Sequence, residues 1–171
     1  MKKLLLPLLI VLIIFQLGVP AYLVYEKVDT LKTGAEYKFE VEIYDAYGAG
    51  KGQYVSLMAL EQRRFYSYSE NIFDGKYGII TTGEDGFAKI AQTVKTKPSG
   101  AYITSSSNGY FELPIGRYYL DKDLAPGVQS LLFEGQQKLR PYVILRVKND
   151  KVVIQGLYID DVRIEDYTVQ D

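Results

Sequence analysis

The sequence predicts a mainly β domain, a sheet or partly open barrel with one packed helix, preceded by a single N-terminal transmembrane helix. Three observations carry this expectation. Residues 4–25, LLLPLLIVLIIFQLGVPAYLVY, form an apolar run whose one strongly polar side chain is Gln16. Residues 36–44, EYKFEVEIY, alternate polar and apolar side chains, the period of a half-buried strand. Sixteen tyrosines and seven phenylalanines, with no tryptophan, favour strands over helices.

The apolar run comes first. At about 1.5 Å rise per residue it makes a helix of roughly 33 Å, enough for a hydrocarbon layer of about 30 Å. Tyr22 and Tyr25 fall at its far end, where interfacial aromatic rings are favoured. Pro7 and Pro20 lie near the two ends and need not break it. A cleaved signal peptide is the competing reading, with small residues at Val19-Pro20-Ala21. The run is longer than the usual apolar core of a signal peptide and continues past that point, which favours an uncleaved anchor. Lys2, Lys3 and the terminal amine face Lys27 and Lys32 across the span. That count tilts toward an inside amino terminus, which places a single-pass chain in the cytoplasmic membrane with its soluble part outside the cytoplasm.

Residues 26–33 (EKVDTLKT) extend the helix as a stalk, and Gly34 ends it. The chain therefore divides into an anchor and stalk, 1–33, and a β-rich domain, 34–171. In the first strand Tyr37, Phe39, Val41 and Ile43 share one face, with Glu36, Lys38, Glu40 and Glu42 on the other. A glycine-dense turn, 45–52, precedes a second strand over 53–60. Residues 61–75 read as a long connection with room for a short helix. Residues 76–82 and 87–95 form a hairpin across Gly83-Glu84-Asp85-Gly86. Residues 101–105 and 109–114 read as a further strand pair. Leu124, Val128, Leu131 and Leu132 recur at helical spacing, with Asp123 as cap and Gly135 as stop. The last hairpin joins 141–148 to 151–159 across Asn149-Asp150, and a short strand is expected within 161–167.

Composition narrows the function. The chain has no cysteine and no histidine, so disulfides, thiolate sites, imidazole bases and imidazole metal ligands are unavailable to it. Its net charge is −1, from 20 basic and 21 acidic residues, which lacks the basic footprint of a nucleic-acid binder. No cofactor or metal is expected.

Four stretches carry residue types capable of chemistry or recognition. Gly48-Ala49-Gly50-Lys51-Gly52 resembles a phosphate loop, but Gly52 and Gln53 follow the lysine and a strand comes next, so a tight turn fits better. Ser56 with a deprotonated lysine, Lys89 or Lys95, would make a hydrolytic dyad. An alternating strand places a hydroxyl on one face without any such role. The carboxylates Asp160, Asp161, Glu165 and Asp166, and the pair Asp121 and Asp123, fit no cation loop and read as solvated surface. Finally, Arg117, Tyr118 and Tyr119 are residue types that dominate binding hot spots, in a stretch too polar for pure core and too aromatic for plain surface.

Several segments together carry a family resemblance: QLGVPAYLVY, LKTGAEYKFEVEIYD, GKGQYVSLMAL, LPIGRYYLDKDLAP and YVILRVKNDKVVIQGLYIDD. The chain resembles the GDYXXLXY-domain proteins of bacteria, small membrane-anchored proteins without an assigned activity. The naming motif maps onto Gly52, Gln53, Tyr54, Val55, Ser56, Leu57, Met58 and Ala59, with Gln53 in place of Asp and Ala59 in place of Tyr. The resemblance implies a multi-spanning membrane protein as partner and supplies no catalytic residues. Gly52, Tyr54 and Leu57, with Arg117, Tyr118 and Tyr119, are therefore the expected partner- or ligand-binding residues. The expected role is a non-enzymatic binding or accessory module for such a protein or an envelope component. A Ser-Lys hydrolase and a barrel holding a small ligand or cation are the alternatives.

Overall fold

A computed structural model describes residues 2–47, 54–67, 75–106, 110–121, 124 and 140–166. Its first element, α1, is a helix from Lys2–Thr33. The segment Pro7–Thr33 is long and apolar enough to cross a membrane, and none of its most apolar window is buried against the rest of the chain. Leu17 and Phe15 are about two-thirds exposed, so the apolar stretch of the helix does not pack against the described remainder of the chain.

The chain turns at Gly34 straight into β1 (Ala35–Tyr47). The described strands that follow are β2 (Tyr54–Ala59), β3 (Tyr77–Thr82), β4 (Ala88–Val94), β5 (Tyr102–Thr104), β6 (Arg117–Tyr119), β7 (Pro141–Lys148), β8 (Lys151–Ile159) and β9 (Val162–Arg163). They make a six-stranded sheet, β6-β2-β1-β7-β8-β9, and a three-stranded one, β4-β3-β5. The larger sheet curls into a half-barrel. Every pairing is antiparallel.

One core lies between the two sheets. Phe39, Val41, Val55, Leu57, Val143, Leu145 and Leu157 of the half-barrel join Ile80, Ile90, Ile103 and Phe111 in a single buried cluster. The alternation expected of β1 holds: Phe39 and Val41 are buried, and Tyr37 and Ile43 pack on the same cluster. The hairpin over 141–159 also holds, with Lys148 paired to Lys151 and Asn149 carrying a positive φ of 54° in the two-residue turn. A second such turn joins β8 to β9 through Asp160 and Asp161, both at positive φ, a conformation aspartate tolerates.

The short helix for which 61–75 has room is present as α2 (Leu60–Ser67). Its Glu61 is buried and accepts the Ile90 backbone N–H at 2.9 Å, fastening α2 over the edge strand β4. Residues 102–104 pair with β3; toward 110–114 they make one bridge, Ser105 to Phe111. The stretch 117–119 is a strand because it pairs with β2, three residues being too few to show a period. The glycine turn expected over 45–52 starts later, because β1 runs on to Tyr47 in register with β2; 48–52 and, save Leu124, the helix expected over 123–135 lie outside the described residues.

The stalk is docked, not free. Asp29 accepts from Lys148 at 2.6 Å and Glu26 pairs with Lys151 at 3.4 Å, both lysines on the β7–β8 hairpin. Thr30 is 1% exposed, and the Gly34 N–H closes the helix on the Thr30 carbonyl at 2.8 Å. A Cβ at position 34 would come within 2.5 Å of that carbonyl and 3.1 Å of the Val147 nitrogen, so glycine is what lets helix, strand and hairpin meet.

Candidate contact site

Two separate stretches of sequence meet at the end of β1 remote from the stalk. In β2, Val55, Leu57 and Ala59 point into the core, while Ser56 is only 8% exposed between β1 and β6. The strand is therefore interior to the sheet, with its Val55-Leu57-Ala59 face in the core. The irregularity that accompanies it is on the neighbour: the β1–β2 register shifts between Ile43 and Asp45, so that Asp45 stands opposite Ser56 and Ala46 opposite Val55. Leu57, one of the expected contact residues, is 2% exposed and seats the strand from within. Gly52 lies outside the described residues.

Strand β6 lies along the other side of β2, pairing Tyr119 with Tyr54, Tyr118 with Val55 and Arg117 with Ser56. The Tyr54 and Tyr119 rings meet edge to face at 5.8 Å. The Arg117 guanidinium sits 4.8 Å from the Tyr54 ring centre. Tyr119 is 65% exposed and Arg117 is exposed beside it. Tyr54, Arg117 and Tyr119 thus form one aromatic–cationic platform on the outer surface of the sheet.

Tyr118 points the other way and packs on the core. Its hydroxyl donates to Glu165, which also pairs with the Arg163 guanidinium at 2.9 Å. Burial, reinforced by the bond to Glu165, pushes the Tyr118 phenol up to about 12. The carboxylates near the end of the chain are used in the same way: Asp161 accepts from the Tyr142 hydroxyl at 2.7 Å, and Asp160 from the Arg140 N–H at 3.4 Å. Burial followed by the Asp161 bond raises Tyr142 to about 12 as well.

An open cleft of about 470 Å³ lies beside Tyr142, lined by Lys38, Asp85, Phe87, Arg140, Asp160 and Asp161. Its rings are already engaged: Lys38 lies 5.1 Å over Tyr142, Tyr158 stacks on Tyr142 at 5.3 Å, and Arg140 lies 5.7 Å over Phe87. It is not the closed apolar chamber that a barrel-type ligand site uses.

The fold and site define a half-barrel β domain that carries an aromatic–arginine platform and is docked against the stalk of a membrane-length helix. The chain belongs to the family of GDYXXLXY proteins, whose model matches residues 16–157. That match takes in the motif strand β2, the platform, and the β7–β8 hairpin as far as Leu157. Comparison with curated proteins and with solved structures returns no match.

Proposed function

We propose that the protein is a membrane-anchored, extracytoplasmic binding module, and that the Tyr54–Arg117–Tyr119 platform is the surface by which it engages a multi-spanning membrane protein. The observation that carries this reading is the platform itself. Hot-spot residue types from two distant stretches are brought together and presented to solvent, with Leu57 and Tyr118 fixing them from beneath. An exposed tyrosine set edge to face against another tyrosine, itself faced by a guanidinium, is preorganised, so little side-chain entropy is lost on contact. Continuity of α1 with the domain supports placing that surface on a fixed arm above a membrane.

The hydrolase alternative finds less support, because Ser56 is enclosed between neighbouring strands where a substrate carbonyl has no approach. Capture of the tagged full chain from native membranes in mild detergent tests the reading. An integral membrane protein recovered with the wild-type chain should be lost with Arg117→Ala combined with Tyr119→Ala. Undiminished recovery with that double variant would refute the assignment of the surface.

A further inference from the structure

We propose that the face of the domain around the β7–β8 turn rests on anionic phospholipid headgroups; this deepens the anchored reading above and depends on α1 spanning the membrane. The geometry begins at the end of the apolar run. Glu26 is the residue directly after Tyr25, and it pairs with Lys151 at 3.4 Å. One turn further along, Asp29 pairs with Lys148 at 2.6 Å, and Gly34 then abuts Val147. The hairpin therefore runs back along the stalk toward the membrane, and its Asn149-Asp150 tip stands level with the point where the helix becomes apolar.

Other parts of the domain share that level. The Tyr102 N–H donates to the Asn149 carbonyl at 2.9 Å, tying β5 to the tip. Tyr77 meets Tyr102 edge to face at 5.4 Å, Lys97 lies 5.8 Å over Tyr102, and Lys76 lies 5.8 Å over Tyr77. Lys95 follows Val94, the strand partner of Tyr77. Lys27 is exposed on the stalk and lines, with Glu26, Asp150 and Lys151, an open cleft between stalk and hairpin.

Charge on this face is lopsided. Lys27, Lys76, Lys97, Lys148 and Lys151 stand against Glu26, Asp29 and Asp150, an excess of two positive charges in a chain whose net charge is −1. The stalk acids are engaged by Lys148 and Lys151, which leaves Lys27, Lys76 and Lys97 against Asp150; such charges feel an anionic leaflet once they come within a Debye length of about 8 Å. Lysine near an anionic leaflet strengthens contact by roughly five-fold per residue.

The chain has no cysteine, so single labels can be placed without background. Full-length protein carrying a fluorophore at Ser99→Cys, or at Val162→Cys on the remote strand β9, is placed in nanodiscs containing a headgroup-quencher lipid. In discs with phosphatidylglycerol the label at position 99 should be quenched several-fold more than that at 162. The excess should shrink in discs of phosphatidylcholine alone. Lys76→Gln with Lys97→Gln should lower the seated-to-lifted ratio by roughly five-fold per lysine. Equal quenching at the two positions, or quenching indifferent to lipid charge, would overturn the headgroup contact while leaving the anchor intact. A chain that fails to co-elute with the discs would overturn the anchor and this contact with it.

Discussion

Tyr118 in β6 and Glu165 just past β9 are joined by a hydrogen bond, although these are the two outermost strands of the six-stranded sheet. The curl of the sheet brings its edges close enough for side chains, not backbone, to close the ring. Arg163 completes the closure by pairing with the same carboxylate. Tyr118→Phe keeps the ring in the core and deletes only the hydroxyl. It should cost about 1.5–3 kcal/mol, the range for a hydrogen bond to a charged group, and lower the thermal midpoint accordingly. Calorimetry on the full chain in detergent reads this directly; an unchanged midpoint would mean that the edges are held by other contacts.

The same bond sets an alkaline limit. An unfolded tyrosine ionises near pH 10, whereas folded Tyr118 and Tyr142 are each raised to about 12. Between those values the folded chain holds protons that the unfolded chain has lost. The stabilisation is therefore whole below pH 10 and disappears as pH rises toward 12. Denaturation followed from pH 9 to 12 should show falling stability. The fall should be shallower in Tyr142→Phe and in Tyr118→Phe, by at most about 1.4 kcal/mol per pH unit for each tyrosine.

Gly34 and Gly18 make a controlled pair. A methyl group at 34 meets backbone of both Thr30 and Val147, while nothing lies within 4 Å of one at 18. Gly34→Ala should loosen the stalk at a cost of about 1–3 kcal/mol and speed amide exchange through Glu26–Thr33. Gly18→Ala should leave both unchanged. Equal behaviour of the two would contradict the docked stalk.

Glu61 tests the link between the sheets. Its carboxylate takes up the Ile90 N–H on edge strand β4, where the register shifts between Ile79 and Ile80. Glu61→Ala strands that donor in the interior and should destabilise by about 1–3 kcal/mol, with amide exchange at Ile90 accelerated most.

Much of the scaffold is legible in the residues, because local signals and final structure agree there. The EYKFEVEIY alternation is β1, and Asn149-Asp150 turns the hairpin it was expected to turn. What is not legible depends on partners far away in sequence. The contacts of Lys148 with Asp29 and of Tyr118 with Glu165 span 119 and 47 residues, and no periodicity encodes them. Strand β6 carries too few residues to announce itself and becomes a strand only beside β2. That pairing is also what unites Tyr54 with Arg117 and Tyr119, which the sequence offers only as two unrelated stretches. The bulge at β1 is equally hidden, since nothing in the residues around Ile43 and Asp45 marks the register shift against β2.

The most direct measurement is site-specific photo-crosslinking from position 119 in the full chain, in native membranes. A photoreactive phenylalanine analogue in place of Tyr119 should yield an adduct with an integral membrane protein, abolished by Arg117→Ala. Recovery of the chain outside the membrane fraction, or an adduct profile from position 119 that matches that of a surface position on β9, would contradict the account.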